Sequence, residues 1–135
     1  MRKELIFLIF FAFLLIIPVR FTQAQKEIFL RKIDFELTKI SPNPYDNEFS
    51  LTLQLNKNTK YKFVVTNHIN GSIGEATVHV FDSEAPDKSL VSNIFQTKYF
   101  EQFMFLCSKT TFYDITVKFR DNTIGNSQIS IFMIQ

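Results

Sequence analysis

Beyond residue 25 the chain alternates apolar and polar side chains with a period of two. This is the signature of strands that turn one face to a core and the other to water. Phe49, Leu51, Leu53 and Leu55 alternate with Ser50, Thr52 and Gln54, and Tyr61, Phe63 and Val65 alternate with Lys60, Lys62 and Val64. Asn56-Lys57-Asn58-Thr59 between them suits a tight connection, so the two segments are predicted to pair as a hairpin. Upstream, Phe29, Ile33, Phe35 and Leu37 share one parity and Lys32, Asp34 and Glu36 the other, until Ser41-Pro42-Asn43-Pro44 ends the strand. Downstream, Ala76, Val78 and Val80 oppose Thr77, His79 and Phe81, and Tyr113, Ile115, Val117 and Phe119 oppose Asp114, Thr116 and Lys118. Ile129, Ile131 and Met133 oppose Gln128, Ser130 and, less cleanly, Phe132. With turns at Asn70-Gly71 and across residues 121–126, the spacing predicts about seven to nine strands in a single domain over residues 26–135. The expected class is all-β: an antiparallel β-sandwich of jelly-roll or Greek-key type.

One stretch departs from the alternation. Phe103, Phe105 and Cys107 share one parity, but Phe100, Met104 and Leu106 occupy the other. A strand that is apolar on both sides is normally covered on both sides. Either the chain's own Leu90, Val91, Ile94 and Phe95 segment or the N-terminal strand lies across it, or Phe100, Met104 and Leu106 form a face for a partner.

The first 24 residues read differently. Arg2 and Lys3 precede an apolar run from Leu5 to Ile17, followed by Pro18, a short polar stretch, and small residues at Thr22 and Ala24. That is the layout of an export signal over residues 1–24, with cleavage between Ala24 and Gln25. Thirteen apolar residues are too few for a membrane span, which needs about 20, and no second apolar span follows. The expected compartment is therefore periplasmic or extracellular.

Removing that segment changes the charge picture. The +2 of the whole chain comes from Arg2, Lys3 and Arg20 against Glu4, leaving 12 basic and 12 acidic residues in the remainder. A neutral domain lacks the long-range field that nucleic-acid binding requires, so that class drops away. Cys107 is the only cysteine, which excludes an intrachain disulfide, so stability must come from a core to which 12 of the 17 Phe are available.

The inventory of reactive groups is sparse. His68 and His79 are the only histidines, and the chain holds no nucleophile elbow, zinc-binding spacing or phosphate loop. Cys107 sits among large apolar neighbours, where burial keeps a thiol inert. Asp82, Glu84 and Asp87, and separately Asp46, Asn47 and Glu48, are acidic loops that could contribute oxygens to a hard cation, but neither follows a calcium-loop spacing. Asn70-Gly71-Ser72 is a glycosylation sequon in a eukaryotic host, and Asn-Gly is equally what a tight turn requires. Tyr45, Tyr61 and Phe81 are the aromatics available for a sugar-stacking platform. The expectation is no enzyme, no cofactor and no metal.

The segment from Phe49 to Phe63, Val80-Phe81-Asp82, Phe103-Met104-Phe105, and Thr110-Thr111-Phe112-Tyr113 leading into Ile115 and Val117 together carry a resemblance. They resemble the jelly-roll sandwiches of the bacterial pre-peptidase C-terminal type and the related Golgi-dynamics (GOLD) type, over roughly residues 49–120. In those, a polar turn feeds a Tyr-x-Phe strand, a central strand ends in Asp, and a late Thr-x-x-Tyr turn opens an alternating strand. The resemblance implies a non-catalytic domain concerned with targeting or protein binding. The expected function is thus a small exported non-enzymatic protein that binds another protein or a surface polymer. The alternatives are an assembly subunit of a cell-envelope or surface apparatus, with a strand edge pairing to a neighbour, and a carbohydrate-binding module. Mass spectrometry of the exported protein should find an N-terminus at Gln25; a mass that retains residues 1–24 would contradict the export reading.

Overall fold

The computed structural model describes residues 25–135; the segment assigned to export, and with it Ala24, lies outside the described residues. Ten strands follow in order: β1 Glu27–Leu37, β2 Glu48–Leu55, β3 Lys60–Thr66, β4 Ala76–Asp82, β5 Ala85–Ser92, β6 Ile94–Phe95, β7 Lys98–Tyr99, β8 Gln102–Leu106, β9 Thr111–Phe119 and β10 Gly125–Ile134. They form two antiparallel four-stranded sheets, β1-β10-β3-β8 and β2-β9-β4-β5, with β6 and β7 as a separate two-stranded ribbon. Setting the short ribbon aside and counting the eight long strands along the chain, the sheets run 1-8-3-6 and 2-7-4-5, the jelly-roll order.

The inward parity of each strand builds the core. Ile33, Phe35, Tyr61, Phe63, Val65, Phe105, Ile129 and Ile131 enter it from one sheet, and Leu55, Ala76, Val78, Val80, Tyr113, Ile115, Val117 and Phe119 from the other. Aromatic contacts tie the two layers together, Phe35 stacking on Phe119 at 4.8 Å and Phe105 meeting Tyr113 edge-on at 5.4 Å. Gly125 lets the Phe119 ring lie against the backbone, since a Cβ there would sit 2.5 Å from the ring.

The predicted hairpin is not formed. β2 pairs with β9, whereas β3 pairs with β10 and β8 in the opposite sheet. Residues 56–59 form an arch between layers, and three of their backbone groups are taken up by the β8–β9 connection. Asn58, at φ 63°, donates its N–H to Cys107 O, Cys107 N–H donates to Thr59 O, and Lys57 N–H donates to Thr110 Oγ1. Leu55 and Tyr61 point into the same core from either side of the arch.

Two further expectations are corrected. Phe29 does not share the inward parity of Ile33 and Phe35, because a bulge between Phe29 and Arg31 shifts the register and leaves Phe29 opposite Phe132 and exposed. Nor does the Leu90 to Phe95 segment or the N-terminal strand cover the outer side of β8. Leu90 and Val91 belong to the other sheet, and β1 is the far edge of β8's own sheet, three strands away.

Where the ribbon leaves β5, side chains replace missing ladder partners. Asn93 is fully buried; its Oδ1 accepts Val78 N–H at 2.8 Å and its Nδ2 donates to Ala76 O at 2.9 Å. Tyr99 Oη also donates to Ala76 O, and Asn67 Oδ1 accepts Ala76 N–H and the Ser127 hydroxyl. The end of β4 is thereby satisfied by three side chains from three separate segments of the chain. Asn93→Ala should lower unfolding free energy by about 2–4 kcal/mol, because it strands the buried Val78 N–H and leaves a small cavity, while Tyr99→Phe costs about 1 kcal/mol since Asn93 still serves Ala76 O. Urea denaturation of both variants checks the order.

Candidate binding face

The two outer faces of the sandwich differ in chemistry. On the β2-β9-β4-β5 sheet, Ser50, Thr52, Gln54, Thr116 and Lys118 share the outward positions with Phe81 and the exposed Phe112. On the β1-β10-β3-β8 sheet, the registers align two rows across all four strands in which five of the eight side chains are apolar. Phe29, Phe132, Lys62 and Met104 form one, and Glu27, Ile134, Lys60 and Leu106 the next. Phe29, Met104 and Leu106 remain 57%, 47% and 66% exposed. Phe29 and Phe132 meet edge-on at 5.8 Å, and Lys62 crosses the face to pair with Glu27 at 2.9 Å. That ion pair neutralises the one acidic group among these eight positions and lays the aliphatic stem of Lys62 between the aromatic pair and Met104.

Of the three residues singled out from sequence, Met104 and Leu106 lie together on this face. Phe100 is exposed as well but precedes β8, its N–H held by Asn93 O at 2.8 Å. Phe29, Phe132 and Ile134 complete the face and were not among the expected residues. The broken alternation at Phe132 was the available signal, whereas the bulge that turns Phe29 outward left none.

The reactive side chains are dispersed. Cys107 is buried, its Sγ 3.2 Å from Lys109 O and 3.4 Å from Tyr113 Oη, with its hydrogen bonds made there and not to a histidine. Burial and the adjacent Cys107 push the Tyr113 phenol well above its ordinary range. His68 occupies a left-handed turn position with Nδ1 2.9 Å from Ser72 O. His79 is half-buried on the opposite sheet, Nδ1 3.2 Å from Ser89 Oγ; burial first, and then the Lys118 charge, lower its pKa below the ordinary histidine value.

Asp82 and Asp46 of the acidic loops are engaged within the chain. Asp82 accepts Glu84 N–H and pairs with Lys109 at 3.0 Å, contacts that hold its carboxyl below the usual range. Asp46 accepts the Ser41 hydroxyl, and the buried Asn47 clasps Ser41 through both amide groups. Among the described residues no three His, Cys, Asp or Glu side chains are grouped to hold a metal. Tyr61 is a core residue whose hydroxyl accepts Asn56 N–H, so it cannot serve as a sugar platform. Tyr45 is exposed in the short 3-10 turn Pro44–Asn47, remote in sequence from Phe81 on β4. A groove of about 370 Å³ on the opposite sheet is lined by Pro44, Glu48, Thr77, His79, Ile94 and Lys118, but Thr77 Oγ1 is already bonded to Lys118 O and His79 to Ser89.

The fold is similar to that in the crystal structure of Aeromonas hydrophila PliG, a periplasmic lysozyme inhibitor of g-type lysozyme. The TM-score is 0.53 at 15% identity, with 85% of this chain and 91% of that chain covered. No protein-family model matches the chain, and no curated protein matches its sequence.

His79 supplies a pH test of the packing on the opposite sheet. Its folded pKa lies below the unfolded value of about 6.5, so the unfolded chain takes up the proton first and stability falls as pH drops through that value, levelling off below the folded pKa. Between pH 7 and pH 5, the wild type should therefore lose more stability than His79→Gln in parallel thermal unfolding series. Equal losses would show that His79 is not held neutral by its surroundings.

Proposed function

We propose that this chain is an exported, non-enzymatic protein-binding module that docks a partner on the outer face of the β1-β10-β3-β8 sheet. The observation that carries this reading is the apolar band of Phe29, Phe132, Met104, Ile134 and Leu106, of which Phe29, Met104 and Leu106 are exposed. The band sits on strands, not loops, so it is rigid before a partner arrives and little ordering entropy opposes docking. Covering the remaining exposed surface of Phe29, Met104 and Leu106 contributes about 1–2 kcal/mol per side chain. Lys60, Lys62 and Glu27 provide the polar surroundings that orient the contact. The dispersed reactive groups support a role without catalysis.

The fold likeness to a periplasmic lysozyme inhibitor makes a cell-wall hydrolase the first partner to try. Lysis of a peptidoglycan suspension by a g-type lysozyme, followed with increasing amounts of the purified protein, tests that narrower reading; stoichiometric inhibition supports it, and an unchanged rate removes it. The wider reading is tested with the partner recovered from the exported fraction of the source cells. The double variant Phe29→Asp, Leu106→Asp should bind it about 100-fold more weakly by titration calorimetry while keeping its thermal midpoint within a few degrees. Unchanged affinity would place the interface elsewhere on the molecule.

A further inference from the structure

The groove on the β2-β9-β4-β5 sheet carries an inference that does not rest on the docking reading, because it shares no side chain with the apolar band. Outward side chains of adjacent strands build its floor. Glu48, Lys118 and Thr77 form the row that closes one end of this sheet, and His79 stands in the next row, opposite Thr116. β2 starts at Glu48 and β9 stops at Phe119, so the 3-10 turns Pro44–Asn47 and Arg120–Asn122 stand beside that end row. Ile94 of β6 closes the β4 side. The hollow of about 370 Å³ falls within the range of small-molecule sites, roughly 300–1,000 Å³.

The hydrogen bonds around His79 fix what its ring offers to this space. Ser89 Oγ gives its single hydrogen to Val91 O at 3.1 Å, so at its 3.2 Å contact with His79 it accepts, and Nδ1 carries the proton. The neutral ring then holds its free lone pair on Nε2. Burial, and after it the Lys118 charge, keep the ring in this neutral form. Among the described residues Nε2 has no partner, and it is not one of the buried orphan atoms, so it opens to the groove that His79 lines. Lys118 lies diagonally across from His79, is exposed, and makes no ion pair among the described residues even though Glu48 stands opposite it. With Thr77 Oγ1 donating to Lys118 O, the groups left free on the floor are a lone pair, an ammonium and a carboxylate.

We propose that this groove binds a neutral saccharide. Its charged lining is balanced, Lys118 and Arg120 against Glu48 and Asp121, so no net field selects an ion. A charged ligand group would lose its water there without meeting a surplus of opposite charge. A hydroxyl both donates and accepts, so neighbouring hydroxyls of one sugar can donate to His79 Nε2 and the Glu48 carboxylate while accepting from Lys118 Nζ. Pro44 and Ile94 offer apolar surface to the C–H faces of the ring. A peptide is a poorer match, because it points N–H and C=O in opposite directions, which suits a sheet edge and not groups that converge on one hollow. A few convergent polar groups between apolar walls are the usual make-up of a small-molecule site.

The test is a heteronuclear NMR titration of the purified protein at neutral pH with cellobiose, with N,N′-diacetylchitobiose and with a capped alanine tripeptide. The expected result is a saturable shift of the His79 ring nitrogens and the Lys118 amide with at least one disaccharide. Lys118→Met, which keeps the aliphatic stem, should bind that sugar about tenfold more weakly. No shift with either sugar up to tens of millimolar overturns the proposal, as do shifts that map away from the groove or a variant that binds as tightly as the wild type. A tripeptide that moves the same resonances as strongly as the sugars overturns the saccharide assignment. Should Lys118→Met fail to fold, the wild-type ring decides the matter. A sugar hydroxyl donating to Nε2 should move that nitrogen's resonance far more than Nδ1, which keeps its bond to Ser89, and equal movement of both overturns the proposal.

Discussion

A single dry interior shared by two sheets is the constraint on which the rest of this structure depends. With Cys107 as the only cysteine, no covalent bridge holds the layers together, so every long strand must direct one parity of side chains into the same space. The aromatic residues make this possible in a small domain. Phe35 against Phe119 and Phe105 against Tyr113 span the interlayer gap at separate places, with Ile, Val and Ala filling between them. The jelly-roll order follows the same logic, since most connections cross from one sheet to the other and each crossing brings another strand's apolar side onto the core.

Such crossings leave backbone groups without strand partners, and the polar side chains near them are the solution. Asn93, Asn67 and Tyr99 substitute for ladder bonds at Ala76 and Val78, while the 56–59 arch is stitched to the β8–β9 connection. These groups gain little net stability when paired and cost a good deal when stranded, so their importance lies in making only one arrangement of the layers tolerable. They also explain why the scaffold can carry an exposed apolar band without losing its register: the band lies on the far side of strands already pinned from within.

Phe29, Met104 and Leu106 are exposed on one sheet, as Leu90 and Phe112 are on the other, so neither layer presents an evenly polar exterior. Their apolar side chains add nothing to the core, and an exposed apolar face with an open edge is an aggregation hazard in an isolated domain. The Lys62 to Glu27 pair moderates this by placing charge in the middle of the band without excluding an apolar partner from it.

Period-two alternation by itself determined that the chain is all-β, which residues line the core, and that Met104 and Leu106 stand on the opposite side of their strand from Phe105 and Cys107. This was legible because pleating assigns faces locally, from one residue to the next. Partner strands were not legible in the same way. Leu55 and Tyr61 would face a common core whether β2 and β3 paired as a hairpin or arched between layers, so parity could not distinguish the two. Only the tertiary structure decided that arch, because it rests on hydrogen bonds to Cys107 and Thr110, about fifty residues along the chain. The same holds for Phe29, turned outward by a bulge defined against β10, and for the roles of Asn67 and Asn93 in closing β4. The face of a side chain is a local property of an extended backbone, whereas the neighbour of a strand is settled by contacts between distant segments.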